Sequence, residues 1–142
     1  MQDSGSFIAP YFRTGRRMRN MGEWKACRFL RRLGYRILAH NYCNGRNEID
    51  IIAMSHKEKF YLHMVEVKAH NHPWKHPLSS QTNLRRHKTR NVARAFLIEY
   101  VAYLRLSGHK ALASELNELD WPLSFDLIWV KRDGPELFSS IF

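Results

Sequence analysis

Three short runs rich in apolar and β-branched residues follow one another between residues 35 and 68, and polar breaks separate them. They predict strands at Tyr35 to His40, Glu48 to Met54 and Phe60 to Lys68. The breaks at Asn41 to Asn47 and Ser55 to Lys59 are rich in Asn, Gly, Ser and Lys, a composition typical of turns. The middle of the chain is therefore expected to fold as an antiparallel meander.

Helical periodicity precedes and follows this meander. Gly15 to about Leu33 predicts a first helix, because apolar residues recur at three- and four-residue spacing and Gly34 follows as a stop. A longer second helix is expected from a cap at Ser80 or Thr82 to about Leu106. The rest of the chain predicts a short helix over residues 109–119 and strands at Phe125 to Val130 and Glu136 to Phe138.

The charge of the chain is strongly unbalanced. It has 23 Lys and Arg against 13 Asp and Glu, which gives a net charge of +10 and an isoelectric point of about 10.0. A polyanion is the expected partner, and nucleic acid is favoured because phosphate contacts release counterions. An anionic membrane surface is one alternative, and a basic surface that serves only solubility is the other.

Cysteine usage and hydropathy predict the compartment. Cys27 and Cys43 form no CxxC pair and are expected to be reduced thiols. No apolar run reaches the roughly 18 residues of a membrane span, and residues 1–19 lack the apolar segment of a secretory signal. A cytoplasmic protein that does not enter a membrane is expected.

The third predicted strand ends in an acid and a base on an otherwise apolar face. Side chains alternate along a strand, so Glu66 and Lys68 share a face with Phe60, Leu62 and Met64. A carboxylate and an ammonium on a buried face are costly unless each is paired or binds a metal. The alternative interpretation is an ion pair on an exposed face.

Two further acids are expected near the same end of the sheet. Asp50 shares a face with Ile52 and Met54 on the second predicted strand, about 4.8 Å from the third. Glu23 precedes the apolar stripe of the first helix by three residues and therefore faces the sheet. Simpler roles are a turn-end cap for Asp50 and an acid on the helix dipole for Glu23.

Three carboxylates and a lysine suit the hydrolysis of phosphodiester bonds. Asp50 and Glu66 are the expected ligands of Mg²⁺ or Mn²⁺, and Glu23 would complete the metal site directly or through water. The metal would stabilise charge on phosphoryl oxygens and lower the pKa of an attacking water. Lys68 would orient that water, help to deprotonate it or stabilise the transition state.

These motifs resemble those of the YraN family of small bacterial proteins. The resemblance covers roughly Gly15 to Val130 and rests on Gly22-Glu23, Asn47-Glu48-Ile49-Asp50-Ile51-Ile52, Val65-Glu66-Val67-Lys68, His87-Lys88 and Ser124-Phe125-Asp126. It implies a restriction-endonuclease-like fold of the PD-(D/E)xK superfamily, similar to Holliday junction resolvases. Asn47, Ala69 and Ser124 stand where the family usually has Gly, Arg and Arg, which affects substrate contacts rather than the fold.

A basic run opens the second predicted helix, after a loop rich in histidine. Phosphate contacts are expected from Lys88, which matches the family's helix lysine, and from Arg85, Arg86, Arg90, His70 and His72. A solvated helix face is the simpler alternative. Zinc binding by the histidines of residues 70–76 is disfavoured, because their spacing matches no standard pattern. Aromatic and arginine residues over 11–19 suit base stacking and a loose arm equally well.

The chain is therefore expected to form an α/β domain with a three-layer α/β/α restriction-endonuclease-like fold and a mixed sheet of four or five strands. This domain covers residues 15–142, after a flexible arm over residues 1–14. The expected function is metal-dependent hydrolysis of nucleic acid, DNA in preference to RNA, with branched or damaged DNA as candidate substrates. The alternatives are a nucleic-acid-binding protein that does not cleave and a protein-interaction subunit with relic acids. The sequence is also compatible with a homodimer.

Overall fold

The computed structural model describes residues 21–56, 60–69, 83–116 and 123–141. In chain order, the elements in these segments are α1 (Met21–Arg32), β1 (Arg36–Asn44), β2 (Asn47–His56), β3 (Phe60–Lys68), α2 (Asn83–Leu106), α3 (Lys110–Leu116), β4 (Leu123–Lys131) and β5 (Gly134–Phe138). No helix in the described segments is both long and apolar enough to cross a membrane.

The strands form one sheet in the order β1-β2-β3-β4-β5. Neighbouring strands are antiparallel except β3 and β4, which run parallel. A parallel pair needs a long connection, and the chain between β3 and β4 contains α2 and α3. The predicted meander and the predicted mixed sheet are therefore both confirmed.

The first face of the sheet is covered by α1. This helix buries Ala26, Cys27 and Leu30 in a cluster with Ile51 of β2 and Val65 of β3. The three helical residues recur at the spacing that keeps side chains on one side of a helix. The apolar stripe that predicted this helix is the surface that packs on the sheet.

The opposite face carries the larger core and is covered by α2. Phe96 and Tyr100 of α2 are fully buried in one cluster with Ile52, Met54 and Met64 of the sheet. The buried residues of α3 belong to the same cluster. Helices therefore pack on both faces of the sheet, and the predicted three-layer α/β/α arrangement of a restriction-endonuclease-like fold is confirmed.

The main difference from the predicted elements concerns the first turn. β1 continues to Asn44 and β2 begins at Asn47, so the turn is present but lies at residues 45–46, and the predicted bounds of 41–47 are wrong. Asn41 lies inside β1 and has a φ of 51°, a left-handed conformation that Asn tolerates better than most residues. Gly45, with a φ of 63°, lies in the short turn itself. The polar composition therefore marks a distorted strand as well as a turn.

Some predicted features lie outside the described residues. They include the arm over residues 1–14, the start of the first helix at Gly15, the turn residues 57–59 and the caps at Ser80 and Thr82. Among the described elements, α2 ends at Leu106 as predicted, whereas β4 and β5 each begin two residues earlier than predicted.

Candidate active site

Asp50 is held where the ladder between β2 and β3 ends. Ile51 pairs with Val65 in the last paired position of this register, so Asp50 and Glu66 are the next residues on the two strands. The Oδ2 atom of Asp50 accepts a hydrogen bond of 2.8 Å from the backbone N–H of Val67. Because Val67 directly follows Glu66, this bond fixes the Asp50 carboxylate beside the end of β3.

Glu66 has two cationic neighbours. Lys68 Nζ lies 3.0 Å from its Oε1 atom. Arg85, which was predicted to contact phosphate, forms a fork on the same carboxylate: its Nε donates to Oε2 over 3.1 Å and its Nη2 contacts Oε1. The Glu66 side chain is 16% exposed, against 44% for Arg85, so solvent screens this pair only in part.

Asp50 and Glu66 line one pocket of about 40 Å³. The other residues lining it are Glu48, Ile49, Met64, Val65, Arg85, Thr89, Phe125, Asp126 and Ile141. A single water needs about 10–15 Å³ of such space, so the pocket has room for a small ion with some of its water. The structure thus brings together the two strand acids that the sequence singled out, and it places Lys68 beside one of them.

Glu23 is not among the described residues that line this pocket. It is buried on α1, where it accepts a hydrogen bond of 3.3 Å from Asn41 Nδ2. Asn41 lies on β1 at the level of Asp50, because the residues on either side of these two pair with each other. Glu23 therefore contacts the strand next to Asp50, and this placement favours an indirect influence on the pocket over direct metal ligation.

The donors in the pocket fit a hard divalent cation. Within the segments that the structure describes, no three His, Cys, Asp or Glu residues are placed to hold a metal together. Mg²⁺, however, commonly takes only one or two carboxylates and keeps several waters. Asp50 and Glu66 supply that number of acids, and the pocket volume leaves space for water. A cation at Glu66 would compete with Arg85 and Lys68 for the carboxylate.

The other predicted phosphate-binding residues take different positions along α2. Lys88 and Arg90 are exposed, whereas Arg86 is partly buried. The Arg90 guanidinium lies 6.0 Å from the centre of an aromatic ring on β4. His70 and His72 lie outside the described residues. Lys88 and Arg90 therefore belong to the part of α2 that solvent reaches.

A hydrogen-bond network around the buried Asp126, which lines the pocket, was not predicted from the sequence. Asp126 is 1% exposed, and its carboxylate accepts hydrogen bonds from the Ser124 hydroxyl over 2.5 Å and from the Ser140 N–H over 3.0 Å. His63 Nδ1 lies 2.8 Å from Asp126, and His63 Nε2 lies 2.6 Å from Ser55 Oγ. The available signal was an acid within the apolar run of β4, since a buried carboxylate needs donors.

Comparison with known proteins identifies the family. The model of the uncharacterised protein family UPF0102 matches residues 22–130, a segment that contains Glu23, Asp50, Glu66, Lys68 and Arg85. This chain belongs to the UPF0102 family. The resemblance to the YraN family that the motifs indicated is thereby confirmed.

Relatives in the UPF0102 family occur in several bacteria. One from Campylobacter concisus is 33% identical over 119 residues, which cover 84% of this chain and 88% of the relative. One from Chlorobium phaeobacteroides is 41% identical over 80 residues, which cover 56% of this chain and 61% of the relative. One from Campylobacter jejuni is 48% identical over 48 residues, 34% of this chain and 40% of the relative. The chain thus spans less than two thirds of the last two relatives, and the names of all three state a family and no activity.

Proposed function

We propose that this UPF0102 protein hydrolyses phosphodiester bonds of nucleic acid with the aid of Mg²⁺ or Mn²⁺. The observation that carries the proposal is the pocket shared by Asp50 and Glu66, with Lys68 3.0 Å from the Glu66 carboxylate. Hard oxygen donors beside a cationic side chain suit phosphoryl transfer, in which charge develops on phosphate oxygens. The net charge of +10 supports a polyanionic substrate, and the resemblance to resolvases favours DNA over RNA.

Asp50 and Glu66 are the residues that would hold the ion. A bound divalent cation supplies charge stabilisation at the phosphoryl oxygens and a water of lowered pKa. The N–H of Val67 orients the Asp50 carboxylate before any ligand arrives, which reduces the ordering that binding requires. Glu23 would influence the site from α1 through its contact with Asn41.

Lys68 would act on the reacting groups, because an ammonium has no lone pair with which to bind a metal. Its side chain is 27% exposed, so solvent reaches part of it beside the Glu66 carboxylate. From there it can hydrogen-bond to the attacking water or to a phosphate oxygen as negative charge develops. Arg85, once released from Glu66, would offer a guanidinium fork to a phosphate.

Cleavage assays on single-stranded, duplex and branched DNA and on RNA test the proposal, with EDTA as the metal-free condition. Asp50→Asn should lower cleavage on the order of 100-fold, because an amide is a poorer ligand and carries no charge. Lys68→Ala should cause a similar loss while Mn²⁺ binding persists, and Glu23→Gln a smaller one. Glu136→Gln, in an exposed ion pair with Lys131, is the matched control and should leave cleavage unchanged.

A nucleic-acid-binding protein that does not cleave is the second candidate. The ion pairs of Glu66 with Lys68 and Arg85 favour it, because these charges satisfy one another without a metal. Metal binding without cleavage of any tested substrate would support this candidate. If the protein binds neither metal nor nucleic acid, the acids are relics and a protein-interaction role is favoured.

A further inference from the structure

The outer surface of α1 carries cations that the proposed active site does not use. Lys25, Arg28 and Arg32 line a pocket of about 110 Å³ together with Phe29 and Pro135. Helical residues separated by three and four positions share one side of the helix. These three cations therefore form one surface, the α1 basic face, opposite the stripe that packs on the sheet.

Positive charge on the α1 basic face is not balanced within its pocket, because no acid is among the described residues that line it. The acid of α1, Glu23, is buried on the other side of the helix and bonded to Asn41. Glu136, next to Pro135 in sequence, pairs with Lys131 at 2.8 Å. Cations that share a cavity repel one another, and an anionic ligand would relieve that repulsion.

Arg28 is already ordered for binding. Its guanidinium carbon lies 4.7 Å from the centre of the Trp24 ring, and Trp24 is 44% exposed. A guanidinium stacked on an aromatic ring has less freedom to lose when a ligand binds, and its N–H donors stay available. Phe29 and Pro135 add apolar surface beside the cations. This combination of cationic and apolar surface matches the backbone of nucleic acid, in which each charged phosphate is flanked by sugars.

We propose that the α1 basic face binds the phosphates of a second segment of nucleic acid. This inference rests on the nucleic-acid partner of the proposed function and is independent of cleavage. α1 and α2 cover opposite faces of the sheet. A helix with its side chains is about 10–12 Å across, so the outer surfaces of the two helices lie more than about 20 Å apart. A straight duplex that lies flat on the outer surface of α2 does not reach the α1 basic face, which therefore contacts a separate segment or another part of a bent or branched one.

Binding of a labelled three-way DNA junction with arms of about 15 base pairs, which offers two separate segments at once, is measured by fluorescence anisotropy in EDTA and tests the proposal without any cleavage. The double variant Arg28→Gln/Arg32→Gln is compared with Arg105→Gln/Lys110→Gln, which removes the same charge from exposed positions on α2 and α3. The first variant should lose affinity on the order of tenfold and lower the slope of log affinity against log salt by about 2. The control should retain most of the wild-type affinity, and all four residues are exposed, so both variants should keep the wild-type Tm.

Three results would overturn the proposal. Equal losses in the two double variants would mean that affinity follows net charge alone. If the Arg28→Gln/Arg32→Gln variant loses binding to vesicles of phosphatidylserine and phosphatidylcholine but binds the junction as tightly as the wild-type protein, the face belongs to a membrane surface. Failure of the wild-type protein to bind DNA at all would show that nucleic acid is not the ligand of this face.

The number of duplexes bound per protein chain tests directly whether a second segment binds. Titration with a short duplex of about 12 base pairs should give two bound duplexes per wild-type chain and one per Arg28→Gln/Arg32→Gln chain. A single bound duplex in both proteins would contradict a separate segment. These binding results do not depend on cleavage. If no nuclease assay shows cleavage, the proposed reaction fails, but the binding results still decide this inference, so the two failures are distinguishable.

Discussion

The guanidinium of Arg85 on α2 forks onto the carboxylate of Glu66 on β3, with Nε donating to Oε2 over 3.1 Å. This contact joins the start of a helix to an acid at the end of a central strand. The oxygens that Arg85 occupies are those that would bind a divalent ion. Guanidinium and metal are therefore expected to compete, and displacement of Arg85 would make a phosphate-binding group available as the metal binds.

Replacing Arg85 with Ala should raise the affinity for Mn²⁺ by about two- to fivefold. The variant no longer has to break a partly exposed ion pair, a contact worth roughly 0.5–1 kcal/mol. Isothermal titration calorimetry measures the change, with Arg105→Ala as a control at an exposed arginine of the same helix. Duplex affinity should fall in the same variant. Weaker metal binding in Arg85→Ala would show that Arg85 supports the ion instead of competing with it.

Removing the Lys88 side chain should weaken duplex binding at every salt concentration. Lys88 is exposed on α2, and one lost phosphate contact should lower the salt slope by about 1. Lys110→Ala, at the exposed start of α3, removes the same charge elsewhere. Anisotropy titrations between low and physiological salt provide the slopes. An affinity that does not change with salt would exclude phosphate contacts as the main source of binding.

Asp126→Ala should destabilise the fold by about 3 kcal/mol. The buried carboxylate accepts bonds from the partly buried Ser124 hydroxyl and from the Ser140 N–H, and it lies 2.8 Å from the buried His63 ring. Its removal takes away an acceptor at the edge of the core and leaves a cavity beside His63. Urea unfolding followed by circular dichroism measures the loss. Glu136→Ala, at an exposed ion pair, should cost less than about 1 kcal/mol. A loss for Asp126→Ala as small as for Glu136→Ala would contradict the structural role of this network.

The two strand acids were predictable because strand periodicity is local. Ile52 and Met64 are core residues on the α2 side, and two-residue alternation places Asp50 and Glu66 on that same side. The fork from Arg85 was not predictable, since it depends on how α2 packs across the sheet, 19 residues further along the chain. Helical spacing alone indicates only which residues share a face.

Backbone distortion also limited what the sequence could predict. Asn41 was interpreted as part of a turn, because Asn is common in turns and tolerates a left-handed backbone. In the structure the same property allows a φ of 51° within β1, where the side chain contacts Glu23. Composition does not distinguish a turn from a distorted strand. The indirect placement of Glu23 therefore became visible only in the folded chain.

Cys27 should make stability depend on alkaline pH. Its side chain is fully buried, and burial raises the pKa of the thiol from 9.0 to about 11. The charge of Arg31 lowers this pKa by a smaller amount, and the charge of Glu23 raises it. The unfolded chain therefore releases this proton at a lower pH than the folded chain. The resulting stabilisation is complete below pH 9 and is lost as the pH rises from 9 to about 11. A shift of this size corresponds to about 2.7 kcal/mol.

Cys27→Ala should remove this component of the pH dependence. Between about pH 8.5 and about pH 10.5, the free energy of unfolding of the wild-type protein should fall by about 1.5–2 kcal/mol more than that of the variant. Tyr42 and Tyr100, whose pKa values are also raised mainly by burial, are present in both proteins, so their contributions cancel in the difference. Cys43→Ala, at the partly exposed cysteine, is the control for loss of a thiol. Urea unfolding at the two pH values provides the measurement. Identical pH dependence in the wild-type protein and Cys27→Ala would mean that the Cys27 thiol ionises as readily in the folded chain as in the unfolded one.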